Sequence, residues 1–292
     1  MDFESLAKKI HDEVYRRFYS YKTTIFLCGA GGHATDSVRE QLNKELTTSW
    51  YSFHYDMFYP EDLFDELLFG PKHHDLISLE NILADSVDAI VLIIESYGSV
   101  AELGAFASNN KLRKKLICIV EEKYRKKKSF INYGPLRLLK DKHEGHIVYA
   151  DYENIKESVQ YIRRKISEVK RGTNKKADVT NVVQAHHFIL PSIYLLEPVT
   201  RNQLAQLVKF ASGVDDRKAA ALTAGALSIL NKKKEILLSP EGYSLSPVGL
   251  DRFRKLGRRG WTQHNYDTAA MDDMRVTILN WQCRGKRLKF EK

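Results

Sequence analysis

Apolar residues recur at Phe3, Leu6, Ile10, Val14 and Phe18, the three- and four-residue spacing of an amphipathic helix. Five short apolar runs follow, at Thr24–Cys28, Tyr51–Asp56, Ala89–Ile94, Leu116–Val120 and Ile147–Tyr149. The third and fourth are almost continuous Ile, Val and Leu, as expected of strands buried on both faces. Helical stretches, among them Asp36–Leu46 and Ser78–Ser86, separate the runs. This alternation predicts an α/β domain over residues 1–168: a doubly wound, Rossmann-like, five-stranded parallel sheet with right-handed crossovers. The polar run Lys170-Arg171-Gly172-Thr173-Asn174-Lys175-Lys176 predicts a linker over 169–180.

Residues 181–292 follow a different pattern. An apolar stretch, His187–Leu196, ends at Glu197-Pro198. Thr200 with Gln203 three residues on is a capping-box pattern that opens a helix to about Phe210. A second helix starts near Asp215-Asp216 and puts Leu222, Ala226, Ile229 and Leu230 on one side. Two short strand runs, Glu235–Leu238 and Tyr243–Leu245, flank Ser239-Pro240-Glu241-Gly242, a turn sequence. Ser246-Pro247 opens another helix, with proline at its first position. Helix, turn, helix, hairpin, helix is the order of a winged helix-turn-helix domain.

Composition narrows the class. The chain has 292 residues, 43% hydrophobic and 28% charged, which fits a soluble globular protein of one large or two ordinary domains. No apolar run approaches the roughly 20 residues of a membrane span, and the N-terminus lacks the basic-then-apolar pattern of a signal peptide. Cys28, Cys118 and Cys283 are too scattered for a disulfide framework or a zinc site; Cys28 and Cys118 read as buried free thiols. A cytoplasmic location is expected. Charge is uneven. Residues 1–168 carry 24 Lys and Arg against 26 Asp and Glu, net −2, whereas residues 169–292 carry 22 against 11, net +11. A near-neutral half for chemistry joined to a basic half for a polyanion is the expectation.

Two segments carry candidate chemistry. The first is Cys28-Gly29-Ala30-Gly31-Gly32-His33-Ala34, between the first strand and a helix. Glycines let backbone approach a ligand, and a following helix N-terminus offers N–H groups to an anion or to sugar oxygens. Gly29, Ala30, Gly31 and Gly32 are thus substrate-binding candidates, although a plain strand-to-helix turn has the same composition. No P-loop Lys-Ser/Thr follows. The second segment is Glu95-Ser96-Tyr97-Gly98-Ser99-Val100-Ala101-Glu102, after the central strand and so at the same sheet edge. Gly98-Ser99 is expected to turn the chain into a helix whose first turn holds Glu102. A carboxylate there can attack, or stabilise, an anomeric carbon with oxocarbenium character. The plainer reading makes Glu102 a helix N-terminal carboxylate facing the macrodipole. Glu95 is a second carboxylate for a sugar hydroxyl or acid/base work. Ser96, Gly98 and Ser99 are candidates for substrate contact.

The strand followed by Gly98-Ser99-Val100-Ala101-Glu102-Leu103-Gly104-Ala105-Phe106 resembles the nucleoside 2-deoxyribosyltransferase superfamily, whose motif carries a nucleophilic glutamate. That glutamate maps onto Glu102. The superfamily's aspartate at the end of the preceding strand is Glu95 here, which leaves sugar selectivity open. A broader likeness rests on Ile25–Gly29, Phe58–Asp65, Ser78–Ala84, Arg113–Ile119, Ser129–Pro135 and Phe188–Leu196. These runs resemble the effector toxins of bacterial retron anti-phage systems, which join a deoxyribosyltransferase-like domain to a winged helix. The resemblance implies N-glycosidic cleavage of NAD or a purine nucleotide; no cofactor or metal is expected. It implies partnership with a reverse transcriptase and its branched DNA–RNA product, msDNA, and a homo-oligomer or higher assembly.

Weaker candidates complete the set. Tyr59-Pro60, at the end of the second strand, lines the cleft or merely packs; Asn132 and Tyr133 follow the fourth strand and reach the cleft edge or do not. His73-His74 has no metal-spaced partner and reads as an exposed loop pair. Lys123–Lys128 holds five basic residues in six, ordinarily a solvated loop; the retron resemblance makes Lys126, Lys127 and Lys128 candidates for msDNA contact. Lys232, Lys233 and Lys234 precede the hairpin, where phosphate contacts are natural, and Arg254 belongs to a basic group with Arg252, Lys255, Arg258 and Arg259. The helix before Lys232 is Ala-rich, which argues against base-specific reading and so against a transcription regulator. A nucleotide sensor, a (deoxy)ribosyltransferase or a phosphoribohydrolase with a nucleic-acid-binding winged helix is the alternative to the toxin.

Overall fold

The computed structural model describes residues 3–16, 22–30, 37–48, 54–60, 86–173, 178–257 and 268–290. The chain forms two compact units, Lys22–Lys176 and Met1–Tyr21 with Ala177–Lys292. Helix α1 (Phe3–Lys9) and the π-helical turn Ile10–Tyr15 therefore belong with the C-terminal residues, not with the sheet as the periodicity suggested. An amphipathic stripe shows that a helix is buried but not against what. Here Leu6, Ile10, Val14 and Tyr15 share one buried cluster with Phe188, Ile189 and Leu204.

The first unit is the predicted α/β sheet. Its elements are β1 (Thr23–Cys28), α2 (Val38–Leu46), β2 (Tyr55–Phe58), β3 (Ala89–Ile93), α3 (Tyr97–Ser108), β4 (Leu116–Glu121), α4 (Pro135–Lys142), β5 (His146–Ala150) and α5 (Val159–Thr173). The order is β2-β1-β3-β4-β5 and every pairing is parallel. Strand order reverses between β1 and β3, so loops leaving their carboxyl ends diverge and open the usual ligand position of such sheets. Ile25, Leu27, Val91, Ile93, Ile117 and Ile119 pack on one face with Leu42 and Leu46 of α2 and Ile162, Ile166 and Val169 of α5. The alternate strand residues are buried too, beneath α3 and α4, which accounts for the near-continuous apolar runs. The second strand lies nearer Tyr59-Pro60 than its sequence run indicated.

Lys170–Thr173 is the last turn of α5 and not a linker. Lys170 Nζ donates to Lys22 O at 2.7 Å and Thr23 Oγ1 at 2.9 Å, anchoring that turn beside β1. Helical periodicity carried by Ile162, Ile166 and Val169 outweighs the local polar composition.

In the second unit the apolar stretch is a helix, α6 (His186–Leu196), buried along its whole length. Around it lie α7 (Arg201–Ser212), α8 (Asp216–Lys232), the hairpin β6 (Ile236–Ser239) and β7 (Gly242–Leu245), α9 (Pro247–Gly257) and α10 (Thr268–Phe290). Thr200 and Gln203 form the expected capping box, Asp215 caps α8, and Pro247 opens α9. Gly242 sits at φ +137°, where a Cβ would lie 2.6 Å from Val199 O, so only glycine fits. That closeness lets Val199 pair with Tyr243 by two backbone hydrogen bonds of 3.0 and 2.8 Å. Cys28 and Cys118 are buried free thiols; Cys283 is exposed. No helix among the described residues is long and apolar enough to cross a membrane.

Candidate active site

The turn from β3 into α3 is built from its own side chains. Ser96 is the N-cap of α3, and its Oγ accepts the Ser99 N–H at 3.1 Å. Buried Ser99 returns the favour: its Oγ accepts from Ser96 N–H at 3.0 Å and Glu95 N–H at 3.1 Å, and donates to Ser96 O at 2.9 Å. These two hydroxyls satisfy donors that a helix start otherwise leaves open. The hydrogen-bonding capacity of Ser99 is thereby spent on aiming α3. Gly98 is exposed, and Tyr97 is 98% exposed.

The helix starts at Tyr97, one step earlier than Gly98-Ser99 suggested, so Glu102 stands in the second turn; the first turn holds no acidic residue. Ser96 caps more strongly than Gly98 turns, which moves the boundary. Glu102 thus lies beyond the first turn, where the macrodipole acts most strongly. It lies three residues after buried Ser99 and four before buried Phe106, on the flank that meets the sheet. The residue is half-buried, and its Oε2 is shielded from solvent.

Glu95 is held by backbone donors that the sequence did not predict. Its Oε1 accepts the Ala30 N–H at 2.9 Å, and its carboxylate accepts from the N–H groups of Val38 and Arg39 at the start of α2. Ser37, the N-cap of α2, takes the Glu40 N–H at 3.2 Å. The first three N–H groups of α2 are therefore satisfied from within the protein. The expectation that this helix end offers free donors to an anion is corrected: a carboxylate 65 positions from Ala30 in the chain already occupies it. Burial raises the Glu95 carboxyl above its ordinary range, opposed by the three backbone donors and by Arg39. A Cβ at Gly29 would sit 2.7 Å from Glu95 Oε1, so a larger residue there would displace that carboxylate.

Gly29, Ala30 and Glu95 thus meet at the β1/β3 reversal; Gly31 and Gly32 lie outside the described residues, as does His73-His74. Tyr59 is half-buried just past β2, under the Arg39 guanidinium at 4.9 Å, and Pro60 is buried. Asn132 turns inward on its own loop: its Nδ2 donates to Tyr124 O at 2.9 Å and Lys127 O at 2.6 Å. Tyr133 is exposed beside Phe130, which is 87% exposed. Sequence reasoning missed Tyr152, whose hydroxyl lies 3.1 Å from Ile94 O and 2.9 Å from Ile119 O and ties together the carboxyl ends of β3 and β4. Nothing local marks it, because both partners come from other strands.

Among the nucleic-acid candidates, Lys126, Lys127 and Lys128 are exposed, and Lys127 Nζ stands 4.6 Å from the Tyr124 ring. Lys232 ends α8, Lys233 is its C-cap, and Lys234 has φ 55°. Lys232 and Lys234 are exposed and Lys233 is half-buried. Arg252 pairs with buried Glu235, so it is a structural cation and leaves the basic group proposed for docking. Arg254 lies in α9, and its side chain is outside the described residues.

Residues 35–238 match the family model of the STM3845 retron effector protein. The chain is 37% identical over 285 residues to the retron Ec86 protein of Escherichia coli, provisionally named a ribosyltransferase/DNA-binding protein. That alignment covers 93% of this chain and 89% of the relative. A second E. coli relative, the retron Ec73 protein of the same provisional name, is 32% identical over 143 residues, 48% of this chain and 45% of its own.

Proposed function

This chain belongs to the STM3845 retron effector protein family, and on that premise we propose that it is an anti-phage toxin that hydrolyses an N-glycosidic bond through Glu102. The observation that supports this is the placement of Glu102. A capped, rigid turn launches α3 from the end of β3, and the carboxylate stands in its second turn with one oxygen shielded from water. In low-dielectric surroundings a carboxylate beside the anomeric carbon strongly favours positive charge developing there, or forms the glycosyl ester that water then cleaves. The bond between the sugar carbon and the base nitrogen breaks, and its electron pair leaves with the base.

The commitment of Glu95 to backbone donors bears on the substrate. A purine leaves well only when protonated, whereas nicotinamide leaves NAD already neutral. NAD is therefore the substrate that Glu102 alone can serve, with a purine nucleotide second. Glu95 acts as a positioning residue that fastens the glycine loop and α2 to the β3 end. The second unit, in the element order of a winged helix and with the Val199–Tyr243 bridge beside its hairpin, docks on the msDNA–reverse transcriptase particle, which holds the toxin inactive. Lys232–Lys234 and the net +7 of residues 177–292, with 18 Lys and Arg against 11 Asp and Glu, provide the phosphate contacts.

The test incubates the pure full-length protein with NAD, nucleosides and nucleoside triphosphates and measures free base and free sugar by chromatography. Nicotinamide release by the wild type and not by E102Q is expected. Binding without release would make the protein a sensor, and exchange with an added base would make it a transferase.

A further inference from the structure

The near-neutral charge of the first half conceals a segregation. Residues 1–121 carry 12 Lys and Arg against 19 Asp and Glu, while residues 122–168 carry 12 against 7. The positive segment surrounds β5, which among the described residues pairs with β4 alone. A groove of about 710 Å³ runs beside it, lined among others by Arg125, Lys140, His143, His146, Tyr149 and Tyr161. Both tyrosines have cations at their rings: Arg125 at 5.0 Å and Lys140 at 5.7 Å from Tyr149, Arg164 at 4.8 Å and Lys165 at 5.4 Å from Tyr161. On α5, Tyr161, Arg164, Lys165 and Glu168 share one face by their spacing. Acidic groups are outnumbered here. Glu168 is shared by Lys165 at 2.7 Å and by Arg164 and His146 at 3.8 Å, and Glu122 meets Arg125 at 3.1 Å in an exposed pair of little energetic weight.

We propose that this groove on the β5 edge binds single-stranded nucleic acid, with bases on Tyr149 and Tyr161 and phosphates against Arg125, Lys140 and the run Lys126–Lys128. Aromatic rings interleaved with cations suit unpaired bases, since each base presents a π-face and each step a phosphate. A duplex keeps its bases stacked internally and gains nothing from the rings. The volume alone would suit a mononucleotide. However, exposed Lys126, Lys127 and Lys128 follow Arg125 directly in the chain, and this run of cations next to a groove residue favours a ligand with several phosphates. A second copy adding a strand to β5 would set like charges together. The assignment is independent of the Glu102 chemistry and distinct from the lysines of the second unit.

The experiment uses full-length protein carrying E102Q and a fluorescent oligothymidylate of about 12 nucleotides, within the range one such platform covers. Oligomers bearing 5-iododeoxyuridine should photocrosslink to Tyr149 or Tyr161. R125E/K140E and Y161A, with unchanged thermal midpoints, should each weaken binding about tenfold, the scale of one lost stacking or phosphate contact. The double variant should also lower the salt slope by roughly 1.4. Equal affinity in both variants, with crosslinks only in residues 177–292, would overturn the proposal. So would full competition by thymidine monophosphate at matched concentration, or preference for a duplex of the same length. Should a variant lose its thermal transition, crosslink mapping on the unmutated groove decides alone.

Discussion

Strands β3 and β4 lie side by side, with Ile93 opposite Ile119, yet the loops that leave them treat their polar groups in opposite ways. After β3, Glu95, Ser96 and Ser99 spend their side chains on backbone N–H groups within a few residues and on the β1–α2 connection. After β4, residues 122–128 turn their side chains outward, and Asn132 holds that loop by two carbonyls. The first arrangement fixes a helix to within hydrogen-bond tolerance, as the role proposed for the Glu102 carboxylate requires. The second displays charge and aromatic surface, where exact placement matters less. Rigidity and display are thus allotted to neighbouring loops of one sheet.

The comparison breaks most sharply if Glu102 is not what the first loop aims. E102Q should lower the glycosidase rate more than a hundredfold, a loss of about 3 kcal/mol at the transition state, with an unchanged thermal midpoint. Full turnover would leave the rigid loop without a chemical purpose. S99A removes the acceptor for two N–H groups and should cost about 1–2 kcal/mol in urea unfolding. Because it loosens the start of α3 without touching substrate, kcat should fall several-fold while KM stays nearly constant; a KM change alone would place Ser99 in substrate contact.

Glu95 sharpens the same contrast through pH. Its carboxyl is raised in the fold, chiefly by burial, with the donors at Ala30, Val38 and Arg39 opposing. A carboxyl raised above its unfolded value favours the fold fully below that value, and the advantage fades as pH rises through the folded value. E95Q cannot ionise. Wild-type stability measured relative to E95Q should therefore decline as pH climbs from about 4. A flat difference would show that Glu95 titrates as it does in the unfolded chain. The smallest effect belongs to the second loop. N132A frees Tyr124 O and Lys127 O and should cost about 1 kcal/mol or less, with unchanged catalysis, while trypsin cleavage at Lys126–Lys128 quickens. Slowed catalysis in N132A would mean that the two loops are coupled.

The pattern of apolar runs alone determined the parallel sheet, its strand-ending loops and the order of elements in the second unit, because side-chain periods of two and 3.6 are local properties. It also determined that Glu95 and Glu102 follow the central strand, since position after a strand is a fact of the chain. Other features were decided only by tertiary structure, because their partners are remote. Glu95 finds donors at Ala30 and Val38, Tyr152 finds acceptors on two strands, and Arg252 finds Glu235. Helix α1 shows its apolar stripe in the sequence, but the cluster with Phe188 chooses its unit. The basic, aromatic β5 edge draws on residues from Arg125 to Tyr161, which only the fold brings to one groove. Local sequence sets what a segment prefers to form; burial and hydrogen-bond satisfaction, which depend on what folds against it, set what its side chains then do.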